Sequence, residues 1–301
     1  MLIHGIYIVA VFTLTLGLDI KLNESPDGST LDEECGIYSA VVHKNENSDN
    51  DKTIKIMTGS DRHQPVWRHR KWPWMALIKN TTSALCNGVL IKKNYILTTA
   101  SCVDDEEQDD LVVDLHGQKY EIEKIMTHEG YKDDRPLKLT GDLSLIKLKE
   151  HAPTAKDKTK AMSICLPRSK KQPLYAQECA VSFLWTRDKE RKEVDTSAGW
   201  FDIEDCMRIP KKDEFGNESL LQCIQTAQDL KPKGSTSQVV YFFSCKMSGY
   251  WSVFGFSKNQ KHVTRRGKKT FSFFLTLTRY LAWIKKHLYN MDESKIPDLD
   301  E

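Results

Sequence analysis

Ser101, Ser235 and Ser237 carry hydroxyls that could attack a carbonyl. A serine hydroxyl becomes a nucleophile only when a neighbouring base takes its proton, and histidine is the usual base. None of the nine histidines sits in a motif that supplies one. His116 and His128 invite a metal, but both fall in a hairpin-like stretch, residues 112–130, where an exposed or core histidine is the simpler reading. The eight cysteines contain no C-x-x-C pair, so zinc and dithiol redox chemistry are set aside and no cofactor is expected. The other chemistry on offer is anion binding. Residues 62–71 include Arg68 and Arg70, and residues 258–269 include Arg265, Arg266, Lys268 and Lys269. Arginine suits sulfate or carboxylate because its planar fork donates two bonds at once.

Composition narrows the field. The 301-residue chain is 40% hydrophobic and 29% charged, as a globular protein should be. Its net charge of +2 is too small to imply a nucleic-acid or membrane partner. The charge is segregated, however. Acidic residues gather at 104–110, which reads as a solvated loop or as a rim that would hold a basic ligand. The basic stretches read equally as solvated loops or as a site for a heparin-like polyanion, and residues 258–269 are expected to form a long exposed loop.

The elements that would position these residues follow from the hydrophobic pattern. Residues 6–18 form an apolar run of about 13 residues, short of the about 20 that span a bilayer, and read as part of a signal peptide ending at residue 17. Residues 18–55 are polar and poor in aromatics, a leader pinned through Cys35. From Trp72 onward, short apolar runs alternate with turn and charged residues, which indicates an all-β barrel or sandwich. Leu281, Ile284 and Leu288 then fall at helical spacing, with Thr278 as the expected N-cap. Eight cysteines in an exported chain suggest four disulfides. Sequons at Asn23, Asn80 and Asn217 agree with export, although Pro26 directly follows the first.

Several ordered motifs resemble the trypsin/chymotrypsin-like serine proteases. Trp72-Pro73-Trp74-Met75-Ala76-Leu77-Ile78 is similar to the family's first barrel strand. Cys86-Asn87-Gly88-Val89-Leu90-Ile91 resembles C-G-G-x-L-I, and Tyr95-Ile96-Leu97-Thr98-Thr99-Ala100-Ser101-Cys102 resembles W-V-L-T-A-A-H-C. Asp142-Leu143-Ser144-Leu145-Ile146-Lys147-Leu148 resembles D-I-A-L-L-K-L, and Ser163-Ile164-Cys165-Leu166-Pro167 resembles P-I-C-L-P. The ending around Trp283 resembles the family's terminal helix. The resemblance implies two six-stranded antiparallel β-barrels and a C-terminal helix, with residues 56–301 as the trypsin-like domain and the active site in the cleft between the barrels.

Carried over residue by residue, the chemistry fails. The family's triad needs a histidine, an aspartate and a serine. The histidine position is Ser101, the aspartate position is Asp142, and the G-D-S-G-G-P-L motif is replaced by Gly234-Ser235-Thr236-Ser237-Gln238. Anchoring on Gly234 places Thr236 at the nucleophile; counting back from Cys245 places Val239 there. The S-W-G edge aligns near Ser257-Lys258-Asn259, and Lys55-Ile56 looks like a decayed activation site. The family's retained bridges imply Cys35–Cys165, Cys86–Cys102, Cys179–Cys245 and Cys206–Cys223. The expectation is a secreted, catalytically inactive homologue that binds an extracellular protein, such as a protease or its substrate. The alternatives are a residual endopeptidase with a rebuilt site and a glycosaminoglycan-binding protein on a protease scaffold.

Overall fold

A computed structural model describes residues 35–37, 72–131, 141–152, 162–168, 178–187, 190–201, 221–226, 238–258, 263–266 and 269–290. The first barrel contains β1 (Met75–Lys79), β2 (Ala84–Lys92), β3 (Tyr95–Thr98), β4 (Val112–Leu115), β5 (Gln118–Thr127) and β6 (Ser144–Leu148), closed in the order β1-β2-β3-β6-β5-β4. The period-two pattern explains which side faces in. On β5, Tyr120 and Ile122 are buried while Lys119, Glu121 and Glu123 are exposed. The Gln108 amide helps fasten the acidic segment to this barrel. The Gln108 Nε2 donates to the Glu123 carbonyl at 3.0 Å, and its Oε1 accepts from the Ile125 N–H at 3.3 Å. It stands in for a strand where β5 bulges between Ile122 and Lys124. Asp104, Asp105, Glu107, Asp109 and Asp110 remain exposed.

The second half contains β7 (Glu178–Arg187), β8 (Glu190–Phe201), β9 (Leu221–Thr226), β10 (Val240–Met247), β11 (Tyr250–Lys258), β12 (Val263–Arg266) and β13 (Lys269–Thr276). They form one antiparallel sheet in the order β11-β10-β7-β8-β9-β13-β12, and β11 also meets β13 through Gly255↔Thr276 and Phe256↔Leu275. Among the described residues the sheet thus has seven strands where six were expected. The extra strand, β12, comes from the basic stretch that was expected to be a loop. Val263–Arg266 pairs with β13 through Val263↔Ser272, Thr264↔Phe271, Arg265↔Thr270 and Arg266↔Lys269. Alternating Val, Thr and Arg is compatible with a strand, and the neighbouring β13 offers an edge to pair with. Charge count alone concealed this.

The chain ends in a 3-10 turn (Leu277–Tyr280) and α1 (Leu281–Tyr289). Leu281, Trp283, Ile284 and Leu288 are buried, which is the expected stripe. Thr278 does not cap the helix: it is buried in the preceding 3-10 turn, and α1 starts after Tyr280. Asn290 closes the helix in the left-handed conformation at φ 51°.

Residues 162–168 bond to both halves. The Ile164 N–H donates to the Leu90 carbonyl at 2.8 Å, while on the other side the Cys165 N–H donates to the Trp251 carbonyl and the Cys165 carbonyl accepts from the Val253 N–H, both at 3.0 Å. Cys35 is bridged to Cys165, and Gly36 lies against the backbone of Trp251, whose N–H donates to the Gly36 carbonyl at 2.9 Å. At Gly36, φ is +65° and a Cβ would lie 2.2 Å from the Trp251 carbonyl oxygen, so only glycine fits. Cys86–Cys102 and Cys179–Cys245 are also formed. Cys223 is disulfide-bonded, and Cys206 lies outside the described residues. Non-reducing peptide mapping is expected to recover a Cys206–Cys223 peptide; a free thiol at either position, or another partner for either, would overturn that pairing.

Candidate functional site

Ser101 and Asp142, 41 residues apart in sequence, meet. Ser101 sits in a 3-10 turn (Ala100–Cys102) that follows β3 and is stapled to β2 by Cys86–Cys102. Asp142 lies just before β6, the strand that pairs with β3 through Thr98↔Ser144. The pairing of those strands therefore brings the two residues to the same end of the barrel. The Ser101 hydroxyl donates to Asp142 Oδ2 at 2.9 Å, and the Ser101 N–H donates to Oδ1 at 2.8 Å.

Asp142 is only 4% exposed. Burial pushes its carboxyl above the usual carboxylate range; bonds from the Ser101 N–H and hydroxyl, the positive charge of Lys258 and the Ala100 N–H pull the other way without cancelling that effect. The arrangement is a satisfied buried carboxylate. Lys258 is the last residue of β11, so its charge reaches this end of the first barrel from the second half of the chain.

A second buried polar contact crosses between the halves. Asn87, fully buried on β2, donates from Nδ2 to the Val240 carbonyl at 2.7 Å and accepts at Oδ1 from the Val240 N–H at 2.8 Å. One side chain thus satisfies both backbone groups at the start of β10. The Thr98 hydroxyl donates to the Asn87 carbonyl at 3.1 Å, and the Gln238 N–H donates to the Leu85 carbonyl at 2.6 Å. Between these bonds, Val239 is 4% exposed and packs with Val181, Phe183, Tyr241, Phe243 and Phe274. Asn87 was not singled out from the sequence. Its signal was a lone amide in the run Cys86-Asn87-Gly88-Val89-Leu90, where a polar side chain must find internal partners.

The other anticipated positions are scattered. Ser235, Thr236, Ser237, Arg68, Arg70, Lys268, Asn23 and Asn217 lie outside the described residues. Arg265 and Arg266 lie on β12 and Lys269 on β13. Asn80 sits in the turn between β1 and β2, where its Oδ1 accepts from the Thr82 and Ser83 N–H groups at 3.0 and 2.8 Å and its Nδ2 donates to Glu106 at 3.3 Å. His116 is exposed beside Gly117 and within 3.1 Å of the Pro73 carbonyl. Among the described residues no group of three His, Cys, Asp or Glu is placed to hold a metal. No described helix is long and apolar enough to cross a membrane.

The sequence model of the family described as Trypsin matches residues 64–200. Granzyme M of Rattus norvegicus is 30% identical over 230 residues, which covers 71% of this chain and 83% of that protein. The chain belongs to the trypsin-like serine protease family. Its closed first barrel, second β-sheet and terminal helix are the family's scaffold. The match to the family model ends at residue 200, before β9 to β13.

The Asn87 amide is expected to hold the two halves together. Asn87→Ala leaves the Val240 N–H and carbonyl buried without partners, at a cost of about 1–3 kcal/mol for each group left unpaired. Chemical denaturation should show a lower midpoint for the variant. An unchanged midpoint would mean that the bond contributes nothing to the fold.

Proposed function

We propose that this chain is a secreted family member that has lost catalysis and acts by binding, as a decoy or cofactor for an extracellular protein such as a protease or its substrate. The observation that carries this reading is the bond from the Ser101 hydroxyl to Asp142. A hydroxyl has no basicity near neutral pH, and a carboxylate is a far weaker base than an imidazole. The burial of Val239 supports it: counted back from Cys245, that residue stands where the family carries its nucleophile, and here it is apolar core. The three described bridges and the Asn87 contact support a scaffold kept intact while the chemistry went. Disulfides suit an oxidising compartment, which supports export.

The purified protein, whether or not it is cut after Lys55, is expected to hydrolyse no peptide ester or amide above buffer. Ser101→His alone should not restore turnover, because the nucleophile segment differs as well. Hydrolysis that a serine-directed phosphonate abolishes would establish the rebuilt endopeptidase instead.

One observation favours a second reading, polyanion binding. Arg266 and Lys269 are directly paired across β12 and β13. The register thus brings two cationic residue types to the end of one hairpin, and arginine suits sulfate or carboxylate because its planar fork donates two bonds at once. Retention on heparin should then weaken steeply with salt, since exposed charges are screened within about 8 Å at physiological ionic strength. Replacing Arg265, Arg266, Lys268 and Lys269 by alanine should lower the salt needed for elution. Co-elution of variant and parent would leave the hairpin a solvated surface.

A further inference from the structure

The terminal helix reaches the turn that presents Asp142 through one histidine. His128, half-buried just after β5, meets the Tyr280 ring edge-on at 5.0 Å and the Trp283 ring at 5.3 Å between centroids. Trp283 in turn meets His287 at 4.5 Å. The Tyr280 hydroxyl accepts from the Gly141 N–H at 3.0 Å, and Gly141 directly precedes Asp142. Gly141 has φ +84°, and a Cβ there would lie 2.5 Å from the Gly130 carbonyl, so the turns at 130 and 141 touch backbone to backbone. The His128 N–H donates to the Leu143 carbonyl at 2.9 Å, on the far side of Asp142. One imidazole thus lies where the Asp142 turn, the 3-10 turn and α1 converge.

The protonation state of that imidazole is set by its hydrogen bond. The Gly130 N–H points at His128 Nδ1 at 2.9 Å. An N–H can only donate, so Nδ1 must be the acceptor and the ring must be neutral. A proton on Nδ1 would set donor against donor.

We propose that His128 is an acid-sensitive latch, whose protonation breaks its bond with Gly130 and loosens α1 and the adjoining 3-10 turn from the turn that carries Asp142. The groups facing it are Glu129 on its own turn, Tyr280 on the 3-10 turn, and Trp283 and His287 on α1. Burial lowers the tendency of His128 to take a proton, the Glu129 carboxylate opposes this, and the His287 charge adds to it; the net direction is down. An unfolded histidine protonates near pH 6.5, whereas folded His128 resists. The contribution to stability is therefore complete above that pH and is lost as pH falls below it. The latch does not depend on whether the chain binds or cuts.

His128→Asn tests it, because the asparagine oxygen can replace Nδ1 as acceptor for Gly130 and does not titrate. Between pH 7.5 and 5.5 the melting temperature of the full chain should fall further than that of the variant, by about 2–4 °C, a shift of the size one local interaction gives in a domain this large. The Gly130 amide resonance should titrate with the His128 ring in the parent and stay fixed in His128→Asn. Identical pH dependence in both proteins would overturn the proposal, as would His287→Gln alone abolishing the acid sensitivity. If His128→Asn does not fold, the parent still decides: a Gly130 amide that ignores the titration of the His128 ring refutes the latch.

Discussion

Asn87 donates to one backbone group of Val240 and accepts from the other, and the join between β2 and β10 rests on that pair of bonds. A side-chain amide can match a peptide group in this way because it carries one acceptor and two donors in a plane. Burial makes the match obligatory, since an unpaired backbone group in this position would cost more than a net hydrogen bond provides. The register of β10 follows from it. With Val240 held to β2, Val239 and Tyr241 turn to the packed cluster of the second half, while Val240 and Phe242 join the larger core.

The same economy shapes the end of the first barrel where Ser101 and Asp142 meet. The carboxylate is buried, and buried charge is tolerated only when it is well bonded. Ser101 supplies two of those bonds, one from its backbone and one from its hydroxyl. Bonded in this way, Asp142 has a structural role at this end of the barrel. The residues around the pair, Cys86–Cys102, Tyr280 against Gly141, and Lys258 at the end of β11, hold the same geometry.

The join between the halves has a third component in the residues around Cys35. Cys35 is bridged to Cys165, and the neighbouring Gly36 fits against the Trp251 backbone. Trp251 also packs edge-on against Trp72, at 4.9 Å between ring centroids. The Cys35–Gly36 segment, Trp72 and the second sheet therefore converge on Trp251.

The sequence by itself determined the fold class, most strands of the first barrel and the buried stripe of α1, and its resemblance to the trypsin-like family picked out Ser101 and Asp142. These rest on short-range periodicity and on ordered motifs such as Thr98-Thr99-Ala100-Ser101-Cys102, which local pattern records directly. Tertiary structure decided the rest. It turned part of the basic stretch into β12, because pairing with β13 outweighs a composition that otherwise reads as loop. It moved the helix start past Thr278, because that residue is buried in the preceding 3-10 turn. It gave Asn87 and His128 their roles, since the partners are Val240, 153 residues on, and an aromatic pair on the terminal helix and the turn before it. Long-range partners leave little trace in a single sequence: a polar residue in an apolar run shows that a partner must exist, and only the fold shows which one.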